Sequence, residues 1–430
     1  MKKYILILLI FGSISVFAQQ YWLPVSSPTN QKLKKGFFTD TLNGWLAGDS
    51  GTILRTTNSG NNWFLQNSGT TETIDDIFFI NQNTGWVIAN GFFYDGTIIL
   101  RTTNGGTNWN FSRFEDTTVV FNQIYFRNLT TGYLTGYSGY ILKSTNGGIN
   151  WFNTFIDTAY CPTLYLFPKN DIYFINDLTG FACGGQIDIQ GMTWRTTDGG
   201  LNWKTYCVAS EPLYEIKAIN QNIIFATGGD FEYGLSNVYS TNGGVEWKYD
   251  PVTQLLGRGQ SLGMRTPNEF WVPLDYIDIF AVNTDSGFNA VNWREVSYPG
   301  SGGINYTFFV SPTMGWSIAD SGRIYKYNTA IIGISGNNNQ YIPESFTVEQ
   351  NYPNPFNPET RINYTLNYST VVKAEVFNIL GESIEVLMDY FQPAGYHSIT
   401  WNASKFPSGI YFCRITAGKT EKSVKMLLVK

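Results

Sequence analysis

The side chains best suited to ligand chemistry are acids and tyrosines that recur beside glycine-rich turns. The leading candidates for ligand binding are Tyr94, Asp95, Asp188, Asp230, Tyr233, Arg258, Asp275 and Tyr276. Tyrosine rings and carboxylates suit sugar binding, and two carboxylates at a suitable separation could hydrolyse a glycosidic bond. Aspartate beside glycine is also ordinary turn chemistry. For each acid taken singly we favour a turn, and for the set we favour a surface that binds without catalysis.

The sequence before the C-terminal part has few other residues of the kinds that catalytic sites commonly use. The one histidine, His397, lies near the C-terminus, so we expect neither a histidine-based triad nor a metal site. Arg55, Arg101 and Arg195 share one position of a repeat, which indicates a structural role rather than a carboxylate-binding triad. The sequence has no glycine-rich phosphate loop, and its net charge of -5 does not suit nucleic acid. We therefore expect no cofactor and no nucleic-acid partner.

The elements that carry these candidates repeat along the chain. An aromatic residue opens a strand of small residues every 41 to 48 residues, at Trp45, Trp86, Tyr133, Phe181, Phe225, Trp271 and Trp316. Each unit divides into four short strands in which apolar and polar residues alternate, joined by turns that contain Gly or Asn. This is the pattern of one propeller blade. Seven markers predict an all-β fold with a seven-bladed β-propeller at residues 19–328, followed by a smaller domain.

A second motif, Ser/Thr-x-Asn/Asp-x-Gly-x-x-Trp, follows five of these markers. Its residues are Asn58, Gly60 and Trp63; Asn104, Gly106 and Trp109; Asn146, Gly148 and Trp151; Asp198, Gly200 and Trp203; and Asn242, Gly244 and Trp247. The Asn or Asp side chain can accept backbone N–H groups, and the glycine tolerates positive φ. The motif therefore predicts a structural turn whose tryptophan packs between blades.

Motif and period together resemble the Asp-box (BNR-type) propellers, and most closely the photosystem II stability/assembly factor-like family. The resemblance spans about residues 20–328 and implies the fold more than a function. The seventh unit has no fourth strand, and residues 21–25 resemble one, so we expect the N-terminal strand to complete the last blade. One disulfide among Cys161, Cys183 and Cys207 is possible in an exported protein, without a preferred pairing.

The N-terminus carries the features of a secretory signal peptide at residues 1–18. Lys2 and Lys3 precede a mostly apolar stretch, and small residues stand before Gln19. No cysteine follows the expected cleavage site, so no lipid anchor is predicted. Once the signal is removed, no transmembrane segment is expected.

The chain after residue 328 has a different pattern. A polar linker at 329–346 leads to a proline-rich stretch and short strands at 347–430, which predict a small Ig-like β-sandwich. This segment resembles the type A C-terminal sorting domain of type IX secretion cargo in Pro353, Asn354, Pro355, Gly381, Gly395, Gly409, Tyr411 and Lys425. The alternative is an ordinary Ig-like spacer.

The resemblance to sorting domains implies type IX secretion machinery as a partner and a Bacteroidota-like source. It also implies transport through the periplasm to the outer-membrane surface or the medium. We therefore expect a monomeric, exported binding propeller that engages a glycan, protein or envelope ligand through its loop face. The alternative is a secreted glycoside hydrolase that uses the rim carboxylates.

Overall fold

The structure is a computed structural model. It describes residues 21–91, 96–114, 116–157, 159, 161, 166–275, 278–288, 290–300, 302–329, 346–366, 370–392, 395–418 and 420–430. The predicted signal peptide and most of the predicted linker lie outside these residues. So do three ligand-binding candidates, Tyr94, Asp95 and Tyr276.

The first strand, β1 (Trp22–Val25), is followed by six sheets in chain order, each built from neighbouring strands. The first three sheets are β2 (Leu33–Phe38), β3 (Gly44–Gly48), β4 (Ile53–Thr56) and β5 (Phe64–Gln66); β6 (Thr73–Phe79), β7 (Gly85–Asn90), β8 (Ile98–Thr102) and β9 (Asn110–Arg113); and β10 (Phe121–Phe126), β11 (Gly132–Gly136), β12 (Ile141–Ser144) and β13 (Phe152–Asn153).

The fourth sheet has an additional strand, β14, which pairs parallel to the outermost strand β18. The next sheets are β14 (Phe155–Asp157), β15 (Lys169–Phe174), β16 (Gly180–Gln186), β17 (Gln190–Thr196) and β18 (Asn202–Ala209); β19 (Leu213–Ala218), β20 (Ile224–Asp230), β21 (Gly234–Ser240) and β22 (Lys248–Tyr249); and β23 (Gly263–Thr266), β24 (Glu269–Leu274), β25 (Ile279–Asn283) and β26 (Arg294–Ser297). A disulfide joins Cys161, in the connection after β14, to Cys207 of β18.

A seventh sheet joins the two ends of this region. It contains β27 (Ile304–Ser311), β28 (Met314–Ala319) and β29 (Ile324–Tyr327), and β1 pairs antiparallel with β29, with Trp22 opposite Tyr327. Short 3₁₀ helices lie at Ala290–Asn292 and Asp320–Gly322. The N-terminal strand thus supplies the fourth strand of the last sheet, as the sequence predicts, and it covers an otherwise open edge.

The first strands of the seven sheets form the inner wall of a propeller. Each of β2, β6, β10 and β15 contacts the first strand of the next sheet, and β27 contacts β2. The loops that join strands two and three, and those that join one sheet to the next, share one face, which we call the loop face. The motif turns lie on the opposite face, which we call the box face.

Aromatic side chains hold neighbouring sheets together. Trp45 of the first sheet stacks on Phe79 of the second with ring centroids 3.6 Å apart, and Trp109 stands edge-on against the same phenylalanine. Trp316 lies parallel to Phe38 at 5.8 Å and continues the pattern from the seventh sheet to the first. Each such pair adds about 0.5–1.5 kcal/mol beyond the burial of its area. The repeated aromatic markers therefore act as inter-sheet contacts.

The C-terminal region forms two sheets around a separate core. Its strands are β30 (Thr347–Val348), β31 (Glu359–Leu366), β32 (Thr370–Phe377), β33 (Ser383–Gln392), β34 (Gly395–Asn402), β35 (Gly409–Ala417) and β36 (Thr420–Leu428). One sheet has the order β30-β31-β34 and the other β33-β32-β35-β36. Tyr364 and Trp401 of the first sheet pack with Val372 and Ile415 of the second. Burial alternates residue by residue along β32, as expected for a strand with one face in the core.

Candidate functional site

The box face is built from five nearly identical turns. In the first of them, the Thr56 Oγ1 hydroxyl donates to Asn58 Oδ1 at 3.0 Å and accepts the Gly60 N–H at 2.9 Å. Asn58 Oδ1 also accepts the N–H of Asn62 at 3.0 Å. The same bonds form around Asn104, Asn146, Asp198 and Asn242. The polar atoms of the motif are thus used within the turn itself.

The basic residues just before these turns bridge neighbouring sheets. Lys143 Nζ donates to the Gly199 carbonyl of the next sheet at 2.7 Å, and Arg195 Nε donates to that of Gly243 at 2.7 Å. The Arg55 guanidinium lies over the Trp45 ring at 5.4 Å. Lys143 and Arg195, at this repeat position, therefore connect neighbouring sheets.

The loop face brings together two of the predicted site residues and one that sequence reasoning missed. Asp188 is at the tip of the β16–β17 hairpin, Glu211 is in the connection before β19, and Asp230 ends β20. Their ligand oxygens all lie within 4.8 Å of one another. The Asp188 N–H donates to Glu211 Oε2 at 3.1 Å, and Asp230 Oδ1 accepts the N–H of Tyr233 at 2.8 Å. We call these three residues the carboxylate cluster.

The carboxylate cluster combines two buried acids, Glu211 and Asp230, with one exposed acid, Asp188. Glu211 is 2% exposed and Asp230 is 7% exposed. Burial, together with the charges of Asp230, Asp188 and Glu232, raises the pKa of Glu211 above its ordinary value. Oxygen ligands at this spacing could hold a hard divalent cation such as Ca²⁺. Two of the three carboxylates already accept backbone N–H groups, so they also stabilise their own loops.

Arg258 and Asp275, two other ligand-binding candidates, bind each other. Arg258 Nε donates to Asp275 Oδ2 at 2.6 Å, and Gln260 Nε2 donates to the same oxygen at 2.9 Å. The Arg258 N–H also donates to Asp275 Oδ1 at 2.8 Å. These two charges therefore neutralise each other beside the carboxylate cluster and are not part of it.

Three further acids of the loop face, Asp49, Asp278 and Asp320, contact the neighbouring sheet or the connection that leads to it. Asp49 accepts a hydrogen bond from Thr73 at 3.3 Å, and Asp278 accepts the Gly302 N–H at 2.9 Å. Asp320 forms an ion pair with Lys32 at 3.2 Å. These acids lie on separate sheets, and each has a partner outside its own hairpin.

A second charged group, which sequence reasoning also missed, lies on the inner wall of the propeller. Lys35, Asp76, Asp171, Glu215 and Tyr306 each occupy the first strand of a different sheet, ten residues before an aromatic marker. The Tyr306 hydroxyl donates to Glu215 Oε1 at 3.0 Å, which joins the seventh sheet to the fifth. The Lys35 ammonium lies 4.4 Å from the centre of the Tyr306 ring. We call these five residues the axial cluster.

The carboxylates of the axial cluster also fasten each first strand to the next. Asp76 Oδ2 accepts the Ile124 N–H at 2.8 Å, and Asp171 Oδ2 accepts the Ile216 N–H at 3.0 Å. Burial raises the pKa of Asp76 to about 6 and that of Asp171 to about 7, although Lys35 opposes both shifts. For Lys35, burial is outweighed by the carboxylates of Asp76, Asp171 and Glu215, so its pKa lies above the ordinary value. The charge of Lys35 thus partly offsets the buried carboxylates of the cluster, and their hydrogen bonds make them part of the scaffold.

In the C-terminal region, the proline-rich stretch clasps the last strand. The Asn354 amide donates to the Lys425 carbonyl at 3.2 Å and accepts the Leu427 N–H at 2.9 Å. Phe356 continues the contact through a bond from its N–H to the Leu427 carbonyl at 3.0 Å. Of the predicted sorting residues, Gly395 and Gly409 open strands β34 and β35. Asn354 is thus fixed to β36, the strand at one edge of its sheet.

Two family models match separate parts of the chain. Residues 350–430 match the secretion system C-terminal sorting domain, and residues 14–115 match photosynthesis system II assembly factor YCF48. No curated protein matches the chain in sequence. No helix among the residues that the structure describes is long and apolar enough to cross a membrane.

Several solved structures share the propeller fold. "YCF48 bound to D1 peptide" is 18% identical with a TM-score of 0.57, covering 72% of this chain and 97% of its own. YCF48 from Cyanidioschyzon merolae is 17% identical with a TM-score of 0.57, covering 72% and 99%. The GH74 xyloglucanase from Xanthomonas campestris is 9% identical with a TM-score of 0.54, covering 93% and 74%. The chain therefore joins a propeller similar to YCF48 to a type IX secretion sorting domain, and it is delivered outside the cell or to its surface.

Proposed function

We propose that this protein is a binding propeller whose C-terminal domain serves export and whose loop face holds a ligand outside the cell. The observation that carries the proposal is the contrast between the two faces. On the box face, five turns repeat the same hydrogen bonds and use their polar atoms internally. On the loop face, the hairpins differ in length, charge and exposed side chains. In a repeat fold, the positions that depart from the repeat are those free to specialise.

The related propellers support a macromolecular ligand. One of the similar structures is YCF48 bound to a D1 peptide, so a propeller of this fold holds a peptide in that case. We extend this to a glycan, protein or envelope ligand for the present chain. The type IX secretion machinery is the partner of the C-terminal domain during export, and the mature protein acts as a monomer.

The proposal is tested by export and by binding separately. In a host that carries this secretion system, the full chain should reach the surface or the medium, whereas a chain ending at Ser345 should stay in the periplasm. Replacing residues 186–190 by the short Asp49–Thr52 hairpin should then abolish retention of partners captured by the exported protein. Unchanged export of the shortened chain would refute the role of the C-terminal domain. Capture that survives the loop graft would refute the role assigned to that hairpin.

A secreted glycoside hydrolase is the second candidate, and Glu211 is the observation that favours it. A buried carboxyl with a raised pKa beside another acid is the usual form of a general acid. The hydrogen bonds argue against it, because Glu211 and Asp230 already accept backbone N–H groups that hold their loops. Turnover of any polysaccharide in a panel, lost in Glu211→Gln, would establish this candidate in place of the first.

A further inference from the structure

Exposed apolar side chains stand on both sides of the carboxylate cluster. Ile187 and Ile189 flank Asp188 in one hairpin and are 41% and 54% exposed. Phe231 and Tyr233 lie in the next hairpin, and each is 53% exposed. A group of large apolar side chains on one part of a protein surface indicates a contact site. Their exposure to water does not stabilise the free protein, whereas their burial against a partner would stabilise the complex.

Hydrogen bonds hold these two hairpins in place. The bond from the Asp188 N–H to Glu211 ties the first hairpin to the connection between the sheets. Asp230 organises the second hairpin by accepting the N–H groups of Glu232 and Tyr233 at 2.9 and 2.8 Å. The surface is therefore formed before any ligand arrives, which reduces the entropy lost on binding. We call it the acidic-apolar patch; it consists of Ile187, Asp188, Ile189, Glu211, Asp230, Phe231, Glu232 and Tyr233.

The charge of the patch is one-sided. Among the residues that the structure describes, the acids of the patch form no ion pair with a lysine or arginine. Arg258, in the adjoining connection, is held by Asp275. An added cation would offset the mutual repulsion of three close carboxylates, so positive charge is the missing complement.

The hairpins of the first and seventh sheets lack this combination. The first sheet has Asp49, Ser50, Gly51 and Thr52 at the corresponding place, and the seventh has Asp320, Ser321 and Gly322. Both are short and polar, and neither carries an apolar side chain. The combination of acids with large exposed apolar side chains is therefore not present in every repeat.

We propose that the acidic-apolar patch binds a protein segment in which lysine or arginine alternates with large apolar residues. The inference rests on the proposed function and specifies its partner. Apolar side chains of the segment pack on Ile187, Ile189 and Phe231, and its cation lies against Asp188 and Asp230. A neutral glycan would not offset the negative charge of the carboxylates. Sugar rings also pack best on aromatic faces, whereas one of these hairpins presents isoleucines.

The test uses the full chain and fluorescein-labelled twelve-residue peptides of alternating leucine and lysine. Two matched peptides replace every lysine by glutamate or every leucine by serine, and binding is measured by fluorescence anisotropy. The leucine–lysine peptide should bind, and both matched peptides should bind at least about tenfold more weakly, since tenfold is about 1.4 kcal/mol. Affinity should also fall as salt is raised, because Asp188 and Glu232 are exposed and their attraction for a cation is screened.

Variants locate the binding site. Glu232→Lys and Ile189→Ser change exposed residues, so they should fold normally and should weaken binding by about fivefold to tenfold each. Phe64→Ser is the matched control, because Phe64 is 62% exposed on β5, an outer strand of the first sheet. Asp188→Asn with Asp230→Asn removes two negative charges and keeps the Asp230 oxygen that accepts the N–H groups of Glu232 and Tyr233, so this double variant should weaken binding without disturbing the hairpin.

Three outcomes would overturn the inference. Equal binding of the lysine and glutamate peptides would exclude charge recognition, and binding unaffected by the patch variants would place the site elsewhere. Calcium binding to the carboxylate cluster without peptide binding would make the cluster a metal site instead. The proposed function is tested by a separate experiment, the loop graft with capture of partners. It can therefore hold even if the peptides do not bind.

Discussion

Replacing Lys35 by methionine tests whether the axial cluster is held together by charge compensation. The substitution keeps an unbranched side chain and removes the cation that faces Asp76, Asp171 and Glu215. Removing one partner of a buried ion pair typically costs about 3–5 kcal/mol, because the remaining charge is left in a poorly solvated place. We expect a loss at the lower end of this range, about 3 kcal/mol in the free energy of unfolding at pH 8. The loss is limited because a carboxyl that takes up a proton no longer carries an uncompensated charge.

The cost should depend on pH, and its sign follows from the carboxyl pKa values. Folding raises the pKa of Asp76 from 3.8 to about 6 and that of Asp171 from 3.8 to about 7, chiefly through burial. Both carboxyls therefore favour the folded state when protonated, and this contribution is lost as the pH rises through about 6 and about 7. Without Lys35 both pKa values rise further, so the variant is most destabilised at pH 8. At pH 5.5 the loss should shrink by about half.

The assay is guanidinium denaturation of the full chain at both pH values, followed by tryptophan fluorescence. Of the 13 tryptophans only Trp401 lies beyond the propeller, so the signal reports the propeller. Lys34→Met is the matched control, because Lys34 pairs with Asp75 in a partly exposed place and should cost less than about 1 kcal/mol. Asp171→Asn should recover part of the loss in the Lys35→Met background. A loss that is equal at both pH values, or no larger than that of Lys34→Met, would refute the reasoning.

Three further predictions concern the scaffold. Trp22→Ala should lower the free energy of unfolding by about 3–5 kcal/mol, because Trp22 is 1% exposed where β1 closes the ring; a change below about 1 kcal/mol would show that β1 is dispensable. Cys161→Ser should cost about 2–4 kcal/mol by opening a bridge that spans 46 residues, and reducing the parent protein should give the same shift in melting temperature. Asn146→Ala should cost about 1–3 kcal/mol, because it leaves the hydrogen bonds of its turn unmade, whereas Asn146→Asp should be nearly neutral in the same thermal melts, since Asp198 occupies that place in the next repeat.

The repeated parts of the fold could be predicted because their chemistry is local. A Ser/Thr hydroxyl, an Asn and a glycine two residues later are enough to build a turn, and the structure shows these bonds within eight residues of chain. The aromatic markers predicted the sheets because a period of 41 to 48 residues is a property of the sequence alone. Closure by β1 followed from counting strands, since the seventh unit lacked one.

The axial cluster was missed although a signal was present. Lys35, Asp76, Asp171 and Glu215 all stand ten residues before a marker, where the strand alternation would suggest an apolar or neutral residue. Periodicity could have shown that these positions share a face. It could not have shown that a lysine on one sheet faces acids on three others, because that depends on the ring closing around an axis.

The carboxylate cluster shows a different limit. Asp188 and Asp230 were candidates because they are acids beside glycine-rich turns, but Glu211 belongs to no motif and lies in a connection between sheets. Its carboxylate reaches the Asp188 N–H only because the fourth and fifth sheets are adjacent, so the pairing is a product of tertiary structure. Residues that follow the repeat form the sheets and their contacts. Residues that depart from it place charged and apolar side chains on one part of the loop face. This is why the scaffold can be derived from spacing, whereas the ligand has to be inferred from a three-dimensional arrangement that includes residues outside the repeat motifs, such as Glu211.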